Sequence, residues 1–191
     1  MMLKFLLVDN GSRHIAAITR LLPTIPEVVS FAGLNSIDPS TYDGIILSGS
    51  SKLPVLCNET LFETELSLIR DTTAPLIGIC LGAELIACAF DGTLRDLGEK
   101  RTGLIDIVST DEQALLLEKG RQFSVYEAHR WTIDTLPNEF HILATSSHGP
   151  EIIKHHSRPL WGLQFHPEHL TESTVGDKIF LRILTHSLTK K

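Results

Sequence analysis

The sequence predicts an α/β fold: an open, mostly parallel twisted sheet with helices on both faces and a small antiparallel layer. Two observations carry this. In the first half, short apolar runs that end on turn residues alternate with stretches of helical spacing, the pattern of a parallel sheet built by crossovers. In the second half the apolar runs become short and closely spaced, and only the closing segment has helical character. With 191 residues and 42% hydrophobic content, the chain can fill one sizeable core, so a single domain over 1–191 is expected.

The elements follow in order. Lys4 to Val8 is an apolar strand stopped by Asp9-Asn10-Gly11, a turn signal. His14 to Leu22 reads as a short helix ended by Pro23 and Pro26. Glu27 to Phe31 is a second strand, and Asp43 to Gly49 a third that runs into a Gly/Ser turn. Glu59 to Arg70 places Leu61, Phe62, Leu66 and Ile69 close to helical spacing. Pro75 to Ile79 is a buried strand, and Leu81 to Phe90 a helix ended by Asp91-Gly92. Strand-like runs then cover Leu104 to Val108, Phe123 to Tyr126, Ile142 to Thr145, Glu151 to Lys154 and Leu160 to Phe165. At least one of these is expected to return to the main sheet. Val175 to Leu188 closes the chain as a helix.

Composition narrows the function. Lys and Arg number 17 against 23 Asp and Glu, a formal net charge of -6, with no basic run. Such a chain is a poor ligand for nucleic acid or an anionic membrane. The apolar run after Met1 is too short for a signal peptide or a membrane span. Cys57, Cys80 and Cys88 are odd in number and lack metal-like spacing. Together these features predict free thiols in a reducing cytoplasm.

One cysteine has a chemical setting. In Pro75-Leu76-Ile77-Gly78-Ile79-Cys80-Leu81-Gly82-Ala83-Glu84 an apolar strand meets a tight, glycine-flanked turn and then a helix, with Cys80 at the apex. This is the pattern of a nucleophile elbow with sulfur as the nucleophile. A sulfur at a helix N-terminus is expected to favour the thiolate. An inert buried cysteine is the commoner outcome, and Cys57 and Cys88 receive that reading. A thiolate nucleophile also needs a base. Of nine histidines, His166 stands out in Gln164-Phe165-His166-Pro167-Glu168, where a strand delivers the ring, Pro167 stiffens the exit and Glu168 can orient the imidazole. The bland alternative is a surface histidine beside a turn. Acyl transfer further needs oxyanion donors, for which the Leu81 N–H and the Gly49-Ser50 turn are placed.

Gly-Ile-Cys-Leu-Gly, Gln-Phe-His-Pro-Glu and the upstream Leu-Ser-Gly-Ser turn together resemble class I glutamine amidotransferases, over nearly the whole chain. Softer similarity in Leu97-Gly98-Glu99-Lys100, Val125-Tyr126-Glu127-Ala128-His129, Leu136-Pro137 and Phe140 to Ser146 points within that family to the free-standing glutaminase subunit of two-subunit GMP synthases. The resemblance implies a flavodoxin-like sheet and a Cys80-His166-Glu168 triad hydrolysing L-glutamine. It also implies a partner synthase that binds ATP and the acceptor, and substrate contacts from Glu84, Ala128 and His129. No cofactor or metal is expected. No Gly-x-x-x-x-Gly-Lys loop is present, so acceptor activation is expected on another chain.

Three positions depart from the family pattern. Glu84 stands where a substrate-holding glutamine is usual, Gly49-Ser50-Ser51 replaces Gly-Gly-Pro, and Ala128-His129-Arg130-Trp131 replaces Ser-His-x-Asp. Glu84 reads two ways: beside the substrate's α-groups, or facing solvent on the first helical turn, complementing the dipole. Two further functions stay open: a hydrolase of another γ-glutamyl amide, and a non-catalytic binding or regulatory role.

Overall fold

The structure is a computed structural model that describes residues 2–56, 58–110 and 118–189; Cys57 lies outside the described residues. The strands are β1 (Phe5–Asp9), β2 (Glu27–Ser30), β3 (Gly44–Leu47), β4 (Leu76–Ile79), β5 (Thr93–Ser109), β6 (Gln122–Thr135), β7 (Phe140–Ser146), β8 (Gly149–His155) and β9 (Leu160–Leu163). The helices are α1 (Ile15–Leu21), α2 (Glu63–Asp71), α3 (Leu81–Ala89) and α4 (Gly176–Leu188). The strands hydrogen-bond in the order β2-β1-β3-β4-β9-β8-β7-β5-β6, with the first five mutually parallel.

Period-two alternation in the parallel strands explains the two helical layers. Phe5, Leu7, Ile46, Ile77 and Ile79 point to one face, where Ile18 and Leu21 of α1 and Ile179, Phe180 and Ile183 of α4 cover them. Leu6, Val8, Ile45, Leu47 and Leu76 point to the other, against Leu66 and Ile69 of α2 and Leu85 and Ile86 of α3.

The antiparallel strands continue the same sheet. β8 pairs antiparallel with β9, β7 with β8, and β5 meets β7 through Val108↔Thr145 and Ser109↔Ala144. β5 and β6 pair along most of their length as a ribbon. Ile107 and Val125 of this ribbon join the α1–α4 core, while Leu94 and Ile133 join the α2–α3 core. The ribbon therefore spans from one layer to the other, and Tyr126 O accepts the His166 N–H at 2.8 Å beyond the end of β9.

Several elements differ from the sequence reading. β5 and β6 extend well beyond Leu104 to Val108 and Phe123 to Tyr126. The Thr93 to Gly103 stretch is largely exposed, so its ladder with β6 holds it in place without a hydrophobic alternation to reveal it. The helix expected from Glu59 begins as a 3-10 turn, Glu59–Phe62, before α2. Two unanticipated 3-10 turns, Phe31–Ser36 and Pro39–Thr41, follow β2.

Candidate active site

β3, β4 and β9 are sheet neighbours, so their carboxyl ends open onto one crevice, the usual ligand location in an open α/β sheet. Each end carries one of the motifs. Cys80 follows β4 and is the N-cap of α3, with φ 52 and ψ -107, a conformation that is costly for a residue with a Cβ. Its N–H donates to Leu163 O at 2.7 Å, and its carbonyl accepts from Ala83 N–H and Glu84 N–H at 2.9 and 3.1 Å. The glycines permit the turn by close approach. A Cβ at Gly78 would lie 2.4 Å from the Gly82 carbonyl, and one at Gly82 would lie 2.7 Å from Leu47 O.

His166 follows β9. Its Nδ1 lies 2.8 Å from Glu168 Oε1. A carboxylate only accepts, so Nδ1 carries the hydrogen and the neutral ring keeps its lone pair on Nε2. Nε2 is buried and lacks a hydrogen-bond partner, and Glu168 is buried behind it. Gly49, beyond β3, stands beside both groups: a Cβ there would lie 3.3 Å from Cys80 Cβ and 3.3 Å from His166 Cε1. A larger residue would thus intrude between nucleophile and ring.

The thiol departs from the sequence expectation. Burial pushes Cys80 well above its ordinary range, and the charges of Glu84 and Glu168 push it further; the Leu81 N–H and Lys100 act in the opposite direction. Desolvation at this buried elbow outweighs the helix N-terminus, so the resting form is the thiol.

A cavity of about 470 Å³ opens over Cys80, with Ser50, Leu81, Glu84, Ala128 and His129 in its walls and Arg130 and Trp131 among its further lining residues. A second, of about 210 Å³, contains His166 and shares Ser51, Lys100 and Ala128 with the first. Glu84 is buried, which removes the solvent-facing reading. Its Oε1 accepts from Gln164 Nε2 at 3.2 Å. Burial pushes its carboxyl up to about 7, opposed by Gln164 and by His129. A further cavity, about 380 Å³, lies at the opposite ends of β4 and β9, by Pro75 and Pro159, and contains none of the candidate catalytic or substrate-binding residues.

The structure thus gathers Cys80, His166, Glu168, Gly49, Ser50, Leu81, Glu84, Ala128 and His129 in one crevice. Sequence reading missed Lys100 and Gln164, although both lie inside motifs already noted. It also missed a buried contact of Glu127 with His129 and His148, which joins distant segments.

A model of the family Glutamine amidotransferase class-I matches residues 6–185. The chain belongs to the class I glutamine amidotransferases, and it is an enzyme of that class. It is 31% identical over 188 residues to a subunit of the glutamine-hydrolyzing GMP synthase of Methanothermobacter thermautotrophicus, covering 94% of this chain and 95% of that one. The Pyrococcus abyssi protein of the same name is 32% identical over 170 residues, covering 85% and 87%. A solved Thermoplasma acidophilum protein assigned as a GMP synthase subunit superposes with a TM-score of 0.84 at 26% identity, covering 100% and 96%. A Thermotoga maritima glutamine amidotransferase shares the fold at a TM-score of 0.80 and 16% identity, covering 98% and 99%. Among the described residues of this amidotransferase, no helix is long and apolar enough to cross a membrane.

Proposed function

We propose that residues 1–191 act as one cytoplasmic glutaminase domain that hydrolyses L-glutamine to glutamate and ammonia. The ammonia would pass to a partner synthase that binds ATP and the acceptor, as in a two-subunit GMP synthase. The observation that carries the reading is the His166 ring, which is held at Nδ1 by Glu168 and presents a buried, unpartnered Nε2 beside the Gly49 backbone next to Cys80.

The chemistry follows from that arrangement. His166 Nε2 takes the Cys80 thiol proton as the sulfur attacks the γ-carboxamide carbon. The charge that develops on the carbonyl oxygen is met by the Leu81 N–H and the Gly49-Ser50 backbone. The C–N bond breaks, and His166 returns the proton to the departing ammonia. Water, deprotonated by His166, then attacks the thioester, releasing glutamate and the thiol. Glu168 orients the ring and stabilises the imidazolium. Because the resting thiol is neutral, proton transfer to His166 accompanies attack.

Glu84 supports a second reading, cleavage of a γ-glutamyl amide other than glutamine, because a buried carboxyl stands in the pocket wall. Glutamate release is the deciding assay, measured with glutamine and with N-substituted γ-glutamyl amides, with and without a co-purified synthase. Turnover of glutamine, raised by the synthase, supports the first reading; turnover of substituted amides alone selects the second. No turnover of any amide removes both.

A further inference from the structure

Apart from the proposed triad, the described residues contain one cluster with a metal-ligand composition. Glu127 and His129 lie two apart on β6 and so share one face of the strand. His148 comes from the tight turn between β7 and β8. One ligand atom from each residue falls within 4.8 Å of the others. Glu127 Oε2 lies 3.1 Å from His129 Nε2 and 3.0 Å from His148 Nδ1. The side chains of Glu127 and His129 are 6% and 1% exposed, and that of His148 is 22% exposed. The cluster is therefore buried but has a way in from the His148 side.

The surroundings hold it in shape. His129 Nδ1 lies 2.8 Å from Trp131 O. A carbonyl only accepts, so Nδ1 carries the hydrogen and a neutral ring aims its Nε2 lone pair at the Glu127 carboxylate. This is how the rear nitrogen of a metal-binding histidine is usually anchored. Unless Nε2 carries a proton or a metal ion, its lone pair would oppose that of Oε2. The turn bearing His148 is pinned by His148 N–H donating to Ser146 Oγ at 3.0 Å, and Ser146 Oγ donates to Glu151 Oε1 at 2.7 Å. Gly149, at φ +141, lets the turn press on β6, since a Cβ there would lie 2.7 Å from Thr132 Oγ1. Glu151 is buried with Oε2 unpartnered.

We propose that Glu127, His129 and His148 bind a divalent transition-metal ion of the zinc type. The ligands are Glu127 Oε2, His129 Nε2 and His148 Nδ1, and a fourth position is left for water. Two imidazoles and a carboxylate suit such an ion better than magnesium or calcium, which prefer oxygen. Zinc–ligand bonds of about 2.0–2.1 Å in tetrahedral geometry separate ligand atoms by about 3.3 Å. The two Glu127 separations, 3.0 and 3.1 Å, would open by a few tenths of an ångström, and the separation between the two histidine nitrogens, within 4.8 Å, would close to match. His129 also lines the large cavity over Cys80, so the ion would sit behind a wall of the glutamine pocket.

The test is binding of Zn(II) and Co(II) to the full chain after chelator treatment, by equilibrium dialysis with metal analysis and by visible absorption. Wild type and Cys80→Ser should both bind one equivalent, with tetrahedral Co(II) absorption that lacks a sulfur-to-cobalt charge-transfer band. Glu127→Gln and His148→Ala should each weaken binding by more than the roughly 10–100-fold seen for loss of an outer-shell partner. Zinc should raise the Tm of wild type and of Cys80→Ser but not of His148→Ala. If neither ion binds wild type, the cluster is held by a proton on His129 and the proposal fails. It fails equally if Cys80→Ser abolishes binding, which would locate the ion at the thiol, or if His148→Ala and Glu127→Gln bind as wild type.

Discussion

Replacing Glu84 by Gln isolates one charge in the crevice and predicts a pH-dependent gain in thiol reactivity. Glu84 lies four residues after Cys80, with its N–H bonded to the Cys80 carbonyl, so the two side chains sit about one helical turn apart, roughly 6 Å. A unit charge at that distance and an effective dielectric near 20 interacts by about 3 kcal/mol. This charge raises the thiol, the direction in which Glu84 acts on Cys80, and each 1.4 kcal/mol or so of interaction is about a factor of ten in an equilibrium. Removing it would raise the thiolate fraction about a hundredfold, and the lower basicity of that thiolate would take back about a factor of ten. Alkylation of Cys80 by iodoacetamide should therefore speed up about tenfold at pH 8.5. The gain should vanish near pH 6, because Glu84 is protonated below about 7 in the native protein. The Michaelis constant for glutamine should fall over the same pH range, since the α-carboxylate no longer meets a like charge. Gln accepts from Gln164 as Glu does, so the neighbouring contact is retained. Equal alkylation rates for the two proteins at pH 6 and pH 8.5 would refute the reasoning, as would a gain of the same size at both.

Other outcomes follow from the same geometry. A diazo-ketone analogue of glutamine should label Cys80 and spare Cys88, whose thiol is pushed up to about 12 mainly by burial; peptide mapping that finds both labelled equally would remove Cys80 from its role. His166→Ala should lower kcat for glutamate release by at least about a thousandfold, within the 10²–10⁴ range of acid–base catalysis. Glu168→Gln should cost less, and a larger loss for Glu168 than for His166 would reverse their roles. Burial holds Glu65 up at about 8 against an ordinary 4.5, with Asn10 opposing. The folded state therefore keeps a proton that the unfolded state releases between those pH values, and the stability this group contributes is complete below about 4.5 and declines by up to about 1.4 kcal/mol per pH unit as pH rises toward 8. Urea unfolding of wild type and Glu65→Gln should diverge across that window in favour of the variant, and parallel curves would contradict it.

What the sequence made legible is what short stretches of chain encode. The inner parallel strands β1, β3, β4 and β9 announce themselves because they are buried on both faces, as with Ile45, Ile46 and Leu47, which are fully buried. The Cys80 elbow and the Gln-Phe-His-Pro-Glu segment are equally local, and the adjacency of β4 and β9 brings their ends together. Long-range convergence is another matter. Glu127 and His148 are 21 positions apart and meet because the β7–β8 turn packs against β6, which no spacing rule foretells. The β5–β6 ribbon is poorly legible for the same reason, since its stability comes from pairing more than from burial.

Glu84 shows where a local signal was present and went unused. A carboxylate on the first turn of a helix ordinarily complements the dipole from the solvent side, and that rule made exposure a reasonable alternative. Yet Leu81-Gly82-Ala83-Glu84-Leu85-Ile86-Ala87-Cys88-Ala89 is apolar around its whole circumference except at Glu84, and a helix of that kind is surrounded. In the structure the sheet covers one side of α3, while α2 and the ribbon residues Leu94 and Ile133 share its other core, so every α3 residue but Cys88 is buried. A lone ionisable group on such a helix has two options: to be paired or to be used. Glu84 has a single neutral donor, Gln164, and sits in the wall of the cavity over Cys80. One neutral hydrogen bond does not offset the desolvation of a carboxylate, which is why the group is held near neutrality at about 7. Its protonation therefore changes near pH 7, and under the proposed function the affinity of the pocket for a zwitterion would change with it.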